Sequence, residues 1–291
     1  MTEYKARACA KLNLYLDITG RRADGYHLLQ TVMQSISLCD EVGVKVGDGG
    51  GISVSCSRED IPQDGRNTAY RAAEVFLKAA GRSAQVDISI KKNIPSGAGL
   101  AGGSADAAAV LNCLNRAFDL PLTEQQLLEC AAQVGADVPF CLVGGTKLCC
   151  GIGEEISPLA AEEEAGIYGR TFLVVKPQFG CPTGDAYRKY DEQPLPPHAG
   201  MERFRASMRS GGFAGGMYNV FRRLYSDGRI ERLCGRLLEL GAQGAELSGS
   251  GSSVFGVFDS RDMAENAARA FPECFTSVCT AERSGVFGDN E

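Results

Sequence analysis

A glycine-rich segment in the first half of the chain limits its fold and function more than any other feature. Residues 95–104 read Pro-Ser-Gly-Ala-Gly-Leu-Ala-Gly-Gly-Ser, with four glycines in seven positions. The pattern predicts a strand at 86–90 before the segment and an alanine-rich helix at 105–114 after it. Glycine lets the main chain adopt positive φ and approach a ligand closely, and the unpaired N–H groups of a helix N-terminus attract anions. The strand, loop and helix together predict a phosphate-binding site.

The segment departs from two familiar nucleotide-binding patterns. The Walker pattern needs a lysine after its second glycine, where this chain has Gly103. The dinucleotide pattern G-x-G-x-x-G matches Gly97, Gly99 and Gly102, but a strand ending in an acidic residue should follow about 20 positions later. Here a helix opened by a capping box at Thr123 follows instead. A purely structural turn is the plain alternative.

Composition limits the classes of protein that fit. The 291 residues suffice for one large or two ordinary domains, and 44% apolar residues support a buried core. With 30 basic and 36 acidic residues the net charge is −6. The sequence contains no Lys/Arg cluster of the kind that would indicate nucleic-acid binding. No apolar run reaches the ~18 residues of a membrane span. We therefore expect a cytoplasmic protein with no nucleic-acid or membrane partner, and the oligomeric state stays open.

Cysteine and histidine usage argues against disulfides and metal centres. The twelve cysteines are scattered, with no C-x-x-C pair, and without a signal peptide we expect reduced thiols. Cys9, Cys113 and Cys130 are interpreted as small apolar packing residues. The two histidines, His27 and His198, are too few for a histidine-rich zinc or iron site.

The order of predicted elements divides the chain into two parts. A connector at 157–169 contains a proline, three consecutive glutamates and two glycines, which indicate a solvated segment. After it, strands and helices alternate at 171–175, 229–240, 253–258, 261–271 and 275–280, with loops at 191–200 and 207–216. We expect an α+β protein with domains at 1–160 and 161–291.

Elements of the first part follow from local patterns. Alternation predicts a strand at 8–18, and helical spacing predicts a helix at 67–80. Glycines at 47–51 separate apolar strands at 42–46 and 52–56 and predict that these two strands form a hairpin.

A phosphate site without a Walker lysine needs positive charge and a base from elsewhere in the chain. Lys11 lies within the apolar strand, and Asp137 lies in the segment Gly-Ala-Asp-Val-Pro-Phe at 135–140. Taken alone, Lys11 is a solvent-facing strand position and Asp137 a turn or cap residue. Together they fit phosphoryl transfer to a hydroxyl, in which a carboxylate accepts the proton and a nearby lysine keeps that carboxylate ionised.

A second glycine-serine segment, Leu-Ser-Gly-Ser-Gly-Ser-Ser at 247–253, lies between predicted elements of the second part. Alone it is an ordinary turn. Folded over the phosphate site, it would add hydrogen-bond donors to the bound ligand.

These segments, in this order, resemble the GHMP kinase superfamily. Residues 95–105 match its glycine motif, and 247–253 resemble its third motif. The segments Ala-Lys-Leu-Asn-Leu at 10–14 and Gly-Arg-Arg-Ala-Asp-Gly-Tyr-His at 20–27, with 135–139, narrow the resemblance to a branch whose acceptor carries a cytidine diphosphate. The resemblance extends from about residue 8 to about residue 258.

The resemblance implies a two-domain fold, with an N-terminal ribosomal-protein-S5-like domain and a C-terminal ferredoxin-like α/β sandwich. With Mg²⁺, ATP would phosphorylate the 2-hydroxyl of a methylerythritol unit, giving the 2-phosphate and ADP, in the isoprenoid pathway that does not use mevalonate. The alternatives are another GHMP kinase, acting on mevalonate, homoserine or a sugar, and a non-catalytic nucleotide sensor on the same fold. The Tyr26–His27 pair argues against the first alternative, and the retained Lys11 and Asp137 argue against the second.

The resemblance also assigns roles to residues. Asp137 would be the base and Lys11 its partner, with Ser104 near Mg²⁺ or phosphate and Asn13 near the reacting hydroxyl. The ATP loop would comprise Pro95, Ser96, Gly97, Ala98, Gly99, Leu100, Ala101, Gly102, Gly103, Ser104 and Ala105. The cytidine end would lie between Tyr26 and His27 on one side and Thr183 and Tyr187 on the other. The third-motif loop would contribute Gly249, Ser250 and Gly251.

Overall fold

Two β-sheets and the helices packed on them make up residues 2–288, which the computed structural model describes. The strands are, in chain order, β1 (Glu3–Arg21), β2 (His27–Gly47), β3 (Gly51–Cys56), β4 (Gln85–Lys91), β5 (Thr146–Cys150), β6 (Glu155–Pro158), β7 (Thr171–Lys176), β8 (Tyr218–Asn219), β9 (Gly244–Leu247), β10 (Val254–Phe258), β11 (Phe275–Thr280) and β12 (Val286–Gly288). The α-helices are α1 (Thr68–Ala79), α2 (Gly102–Ala117), α3 (Glu124–Val134), α4 (Val138–Val143), α5 (Ala161–Ala165), α6 (Thr183–Glu192), α7 (Met201–Arg209), α8 (Arg229–Glu239) and α9 (Arg261–Ala268).

A long antiparallel pair, β1 with β2, forms the middle of the first sheet. The pairing extends from Glu3 opposite Lys45 to Arg21 opposite His27. The short connection between the strands therefore places Tyr26 and His27 at one end of this pair, next to each other in the chain. The sheet order is β12-β1-β2-β4-β3, with β5 also paired to β2.

Two shifts in the register of β1 with β2 flank Lys11 and Asn13. The register with β2 shifts between Cys9 and Lys11, and again between Asn13 and Tyr15. Register shifts of this kind bend a strand and change the direction of its side chains. Lys11 and Asn13 are thus carried by a short stretch of strand that lies between two such shifts.

The hairpin predicted for 42–46 and 52–56 is wrong. The strand β3 pairs in parallel with β4, and β4 pairs antiparallel with β2, so β4 lies between the two strands. The reason is the helix α1, which connects β3 to β4 and makes a crossover. Parallel strands that are neighbours in a sheet require such a crossover connection. A glycine-rich turn indicates that the chain reverses direction but not that the two strands pair with each other.

Side chains cap two helices of the first part, and the cap at Thr123 is the one that the sequence predicted. The side chain of Asn67 accepts a hydrogen bond from the N–H of Ala69 and caps α1. Thr123 and Gln126 form the capping box of α3. The helix α2 begins earlier than predicted, directly after Ala101, whose φ of 57° ends the glycine-rich loop.

The second sheet has the order β11-β7-β10-β9, with every neighbouring pair antiparallel. The helices α8 and α9 pack against it. Strand β9 was absent from the sequence prediction, and the predicted loop at 207–216 is partly helical, since α7 ends at Arg209 and a 3-10 helix spans 213–216. Four antiparallel strands with two helices are the arrangement expected for a ferredoxin-like sandwich.

The second part of the chain returns to the first sheet at two places. The strand β8 pairs in parallel with β1, and β12 pairs antiparallel with β1. The division at residues 160 and 161 stays a prediction. Among the described residues, no helix is long and apolar enough to cross a bilayer.

One cysteine pair differs from expectation. Cys9 on β1 and Cys39 on β2 form a disulfide, with Cα atoms 4.1 Å apart. The prediction of reduced thiols, and of Cys9 as a packing residue only, is wrong for this pair. The two residues are 30 positions apart in the chain, so only the strand register brings them face to face.

Candidate active site

A cavity of about 790 Å³ collects nearly all the residues selected from the sequence. Ala105 and Gly251 do not line it, because Ala105 is fully buried in α2 and a Cβ on Gly251 would face Leu247 and Cys181. The selected residues that line the cavity are Lys11, Asn13, Tyr26, His27, Pro95, Ser96, Gly97, Ala98, Gly99, Leu100, Ala101, Gly102, Gly103, Ser104, Asp137, Thr183, Tyr187, Gly249 and Ser250.

The glycine-rich loop follows the backbone path expected of an anion site. Gly97, Gly99 and Ala101 have φ of 58°, 73° and 57°. Positive φ at alternate positions turns the main chain sharply just before α2 begins, and the first N–H groups of α2 have no partner within the helix. Gly97 and Gly99 supply this geometry without a steric penalty.

Lys11 is buried between this loop and Asp137. Its Nζ donates to Oδ1 of Asn13 at 2.7 Å and to the carbonyl oxygen of Gly99 at 3.0 Å. It lies 3.9 Å from Oδ2 of Asp137. Asp137 directly precedes α4, and 34% of its side chain is exposed, against 5% for Lys11. The ammonium group is therefore held in place, and the carboxylate beside it is accessible from the cavity.

Asn13 links Lys11 to the third-motif loop, residues 247–253. Its Oδ1 accepts from Lys11 and also from the N–H of Gly249 at 2.9 Å. Its Nδ2 donates to Oγ1 of Thr31 at 2.9 Å, and Thr31 in turn donates to the carbonyl of Tyr15. The oxygen and the nitrogen of the amide thus both have partners, which fixes its orientation.

The third-motif loop packs directly on the ATP loop. Oγ of Ser248 donates to the carbonyl of Gly99 at 2.9 Å, and the N–H of Ser253 donates to the carbonyl of Ala98 at 3.2 Å. A Cβ on Gly99 would lie 2.0 Å from the carbonyl oxygen of Ser248. Only glycine permits this approach of the two loops.

At another part of the cavity, His27 covers Tyr187. Their ring centroids are 4.9 Å apart with an interplanar angle of 24°, and Tyr190 meets His27 edge-on. Nε2 of His27 lies 2.8 Å from Oδ1 of Asp191. Tyr26 is 57% exposed and lies beneath the Arg22 guanidinium. Burial raises the pKa of Tyr187, which keeps its hydroxyl neutral.

Both parts of the chain match models of known protein families, and nearly the whole chain aligns with known proteins. The model for the N-terminal domain of GHMP kinases matches residues 67–145, and the model for the C-terminal domain matches 200–277. A 4-diphosphocytidyl-2-C-methyl-D-erythritol kinase of Desulfitobacterium hafniense (strain Y51) is 42% identical over 296 residues, with 97% of each chain covered. The kinase of the same name from Clostridium botulinum (strain Loch Maree) is 42% identical over 87% of this chain and 90% of its own.

The chain belongs to the GHMP kinase family. A crystal structure of 4-(cytidine 5′-diphospho)-2C-methyl-D-erythritol kinase superposes with a TM-score of 0.78 at 33% identity, covering 96% of this chain and all of that one. The family and the α+β two-domain fold predicted from the sequence are confirmed. As a GHMP kinase the chain is an ATP-dependent phosphotransferase that acts on small molecules.

The sequence missed a buried charge cluster beside the ATP loop of this GHMP kinase. Lys92 donates to Asp40 and, at 2.7 Å, to Oδ2 of Asp106. Oδ1 of Asp40 also accepts from the N–H groups of Asn93 and Ile94 at 2.6 and 2.8 Å. The cluster therefore holds the segment between β4 and the loop. The position of Lys92, between a strand and Pro95, is the sequence feature that could have indicated this cluster.

Burial and ion pairing act in opposite directions on the pKa values of Asp106 and Lys92 in this cluster. Burial raises the pKa of Asp106 to about 7, against the lowering effect of Lys92. Burial lowers the pKa of Lys92, but Asp106 and Asp40 raise it more, so the net shift is upward. Two carboxylates thus share one ammonium group next to the ATP loop.

Among residues 2–288, no group of three or more His, Cys, Asp and Glu side chains is arranged to hold a metal ion. A GHMP kinase of this structure has no preformed metal cage within that part of the chain.

Proposed function

We propose that this kinase transfers the γ-phosphoryl group of ATP to the 2-hydroxyl of 4-diphosphocytidyl-2-C-methyl-D-erythritol, giving the 2-phosphate and ADP. Relatives of that name cover nearly the whole chain at 42% identity. The observation that carries the proposal is the placement of the Lys11–Asp137 pair, the ATP loop and the His27–Tyr187 stack around one cavity.

Asp137 is the proposed general base. Its carboxylate is exposed to the cavity, and general bases act within hydrogen-bond reach of the proton that they accept. Lys11 stabilises the negative charge that develops on the attacking oxygen. Asn13 orients Lys11 and lies close enough to the pair to contact the same hydroxyl.

Residues 95–105 are the proposed triphosphate loop. Phosphoryl transfer asks mainly for positioning and charge stabilisation, and a helix N-terminus preceded by a glycine loop provides both. Gly249 and Ser250 of the third-motif loop line the same cavity. Gly251 belongs to that loop and Ala105 to the first turn of α2, and neither lines the cavity.

Mg²⁺ fits the site through Ser104 and phosphate oxygens. Ser104 lies in the first turn of α2 and lines the cavity, as does Asp106, whose Oδ1 is buried with no hydrogen-bond partner among the described residues. Mg²⁺ is usually held by one or two carboxylates with substrate phosphates, so a preformed cage is not required. When bound, it neutralises charge on the triphosphate.

The cytidine end binds at the aromatic side of the cavity, against Tyr26 and the His27–Tyr187 stack, because the two stacked rings leave no gap between them. There Tyr26 offers an exposed ring for stacking, and His27, held against Tyr187, offers a ring nitrogen. Thr183 contacts Oγ of Ser250 at 3.1 Å and so joins this side to the third-motif loop. The division into domains 1–160 and 161–291 and a cytoplasmic location, where ATP is available, belong to the same proposal.

The test is ATP turnover by the purified chain with the cytidyl-diphospho substrate, with mevalonate and homoserine as controls. We expect stoichiometric ADP and 2-phosphate with the first compound and none with the controls. ADP release with mevalonate or homoserine but not with the cytidyl compound would overturn the proposal.

A further inference from the structure

Asp191 is the polar partner of the histidine at the proposed cytosine site. It lies near the end of α6, and its Oδ1 is 2.8 Å from Nε2 of His27 and 3.5 Å from Nη1 of Arg21. No sequence pattern pointed to it. We propose that Asp191 determines which nitrogen of His27 carries the proton and thereby makes the site select cytosine over uracil. This inference rests on the proposed function.

The tautomer follows from the chemistry of the carboxylate. An ionised carboxylate has only acceptor oxygens, so a hydrogen bond with Nε2 requires that Nε2 carries the proton and donates it. In the neutral ring the proton on Nε2 leaves Nδ1 with a lone pair. Arg21, whose guanidinium has donors and no acceptor, lies on the other side of Asp191.

The His27 ring is held in one orientation, so the position of its proton affects a ligand bound in the cavity. Only 9% of the His27 side chain is exposed, because it stacks on Tyr187 and meets Tyr190 edge-on. His27 nevertheless lines the cavity. With Nε2 engaged by Asp191, Nδ1 is the ring nitrogen left for a bound base.

A lone pair at Nδ1 distinguishes the two pyrimidines. Cytosine presents a 4-amino donor where uracil presents a carbonyl acceptor. The amino group can donate to Nδ1, whereas the uracil carbonyl would place two acceptors against each other and leave both without a partner. A site of this kind rejects the mismatched analogue strongly. Asp191 is thus a positioning residue that acts on specificity through His27.

The tautomer can be measured without substrate, because the chain has two histidines. Two-bond ¹H–¹⁵N correlation spectra of protein labelled on histidine nitrogen, recorded at about pH 8 where ordinary imidazole is neutral, should show His27 protonated on Nε2. The variant His198→Gln assigns the signals. Asp191→Asn should move His27 toward the Nδ1-protonated form, because an amide can donate to Nε2. A wild-type ring protonated on Nδ1 would overturn the proposal.

Specificity is measured by competitive inhibition with CDP and UDP. Wild-type enzyme should bind CDP much more tightly, and Asp191→Asn and Asp191→Ala should each reduce the ratio of the two inhibition constants by about tenfold or more. KM for the cytidyl substrate should rise while kcat changes less than about twofold. Asp191→Glu keeps a carboxylate and should restore the ratio.

The matched control is Asp185→Asn, since Asp185 lies on the same helix and pairs with Arg188 rather than with His27. It should change neither the spectra nor the ratio. An unchanged ratio in both the Asn and the Ala variants of Asp191 would overturn the proposal even if the wild type phosphorylates the cytidyl compound. Absence of that activity in the wild type would instead reject the proposed function, while the spectra still report on the tautomer.

Discussion

A single ammonium group joins the three segments that we propose carry the chemistry of this kinase. Lys11 reaches Asn13 on its own strand, the carbonyl of Gly99 in the ATP loop and the carboxylate of Asp137. A lysine with only 5% of its side chain exposed is stable in a strand only when its charge is compensated in this way. The same contacts that satisfy Lys11 therefore place it where a phosphoryl group would be transferred.

Replacing the proposed base should separate catalysis from nucleotide binding. Asp137→Asn keeps the shape of the side chain but removes its ability to accept a proton, so kcat should fall by about 10²- to 10⁴-fold. The affinity for ATP, measured by calorimetry, should change little because the loop is untouched. Asp119→Asn, at an exposed turn with φ of 59° that asparagine tolerates, is the control. Near-normal turnover of Asp137→Asn would contradict the general-base role.

Loss of the exposed aromatic ring should affect substrate binding more than the chemical step. Tyr26→Ala removes a stacking surface, which is worth about 1–3 kcal/mol for a base on an aromatic platform. We expect KM for the cytidyl substrate to rise accordingly, with kcat less affected, in steady-state assays. Tyr26→Phe keeps the ring and should behave as wild type. If KM is unchanged in the alanine variant, the base does not stack on Tyr26.

At the scale of elements, the site depends on two loops that touch through their main chains. The third-motif loop approaches the ATP loop so closely that Gly99 has no room for a Cβ. Asn219, which directly precedes a 3-10 helix at 220–224, supports the third-motif loop from below by donating to the carbonyls of Leu247 and Gly249. The two loops thus form one rigid wall of the cavity.

This contact predicts a difference between two glycines of the same loop. A Cβ on Gly97 would meet nothing within 4 Å, so Gly97→Ala should cost only the strain of positive φ, about 1 kcal/mol. Gly99→Ala adds a collision with the backbone of Ser248 and should lower the free energy of unfolding by at least about 2 kcal/mol more. Urea denaturation of both variants measures this difference. Equal stabilities would show that the loops do not pack as described.

At the scale of the molecule, the cavity needs both parts of the chain. Lys11, Asp137 and the ATP loop come from the first part, whereas Tyr187 and the third-motif loop come from the second. The strands β8 and β12 pair with β1 and tie the second part to the first sheet. Closure of the site is therefore a property of the complete fold.

The stability of the whole molecule should carry a pH dependence from one buried acid. Burial raises the pKa of Glu246 on β9 to about 7, although Arg222 and the N–H of Leu247 act in the opposite direction. Because the folded state then binds this proton more tightly than the unfolded state, stability falls as pH rises from the ordinary value of 4.5 through about 7. Glu246→Gln removes this titration. The free energy of unfolding of this variant relative to wild type, measured by thermal unfolding, should therefore increase by up to about 3 kcal/mol between about pH 5 and pH 8.

The control for this prediction is the other acid that pairs with Arg222. A hydrogen bond from Arg222 lowers the pKa of Glu231, so its contribution to stability is present at neutral pH and lost on acidification. Glu231→Gln should therefore show no gain at about pH 8 by thermal unfolding. A gain of equal size in both variants would mean that the effect comes from Arg222 rather than from burial of Glu246.

Local sequence patterns predicted what local forces decide. The capping box at Thr123 depends on side chains within three residues of the helix start, and it formed as predicted. The glycine-rich loop carried its conformation in its composition, because few other residues accept its backbone angles. The need for a positive charge and a base singled out Lys11 and Asp137, and the resemblance to GHMP kinases assigned their roles, because no spacing rule pairs residues across 126 positions (137 − 11).

Long-range pairing decided the rest. The sequence indicated neither that β4 would separate β2 from β3, nor that Cys9 would face Cys39, nor that Asp191 would meet His27 from 164 residues away. Strand order, strand register and buried charge pairs depend on which distant surfaces are buried together when the chain folds. The entropy cost of bringing distant segments together depends on their separation and leaves no local sequence pattern. The chain therefore specified its phosphate loop and the helices α1, α2, α3, α8 and α9 in local composition, and the packing of the two parts brought these elements together around one cavity.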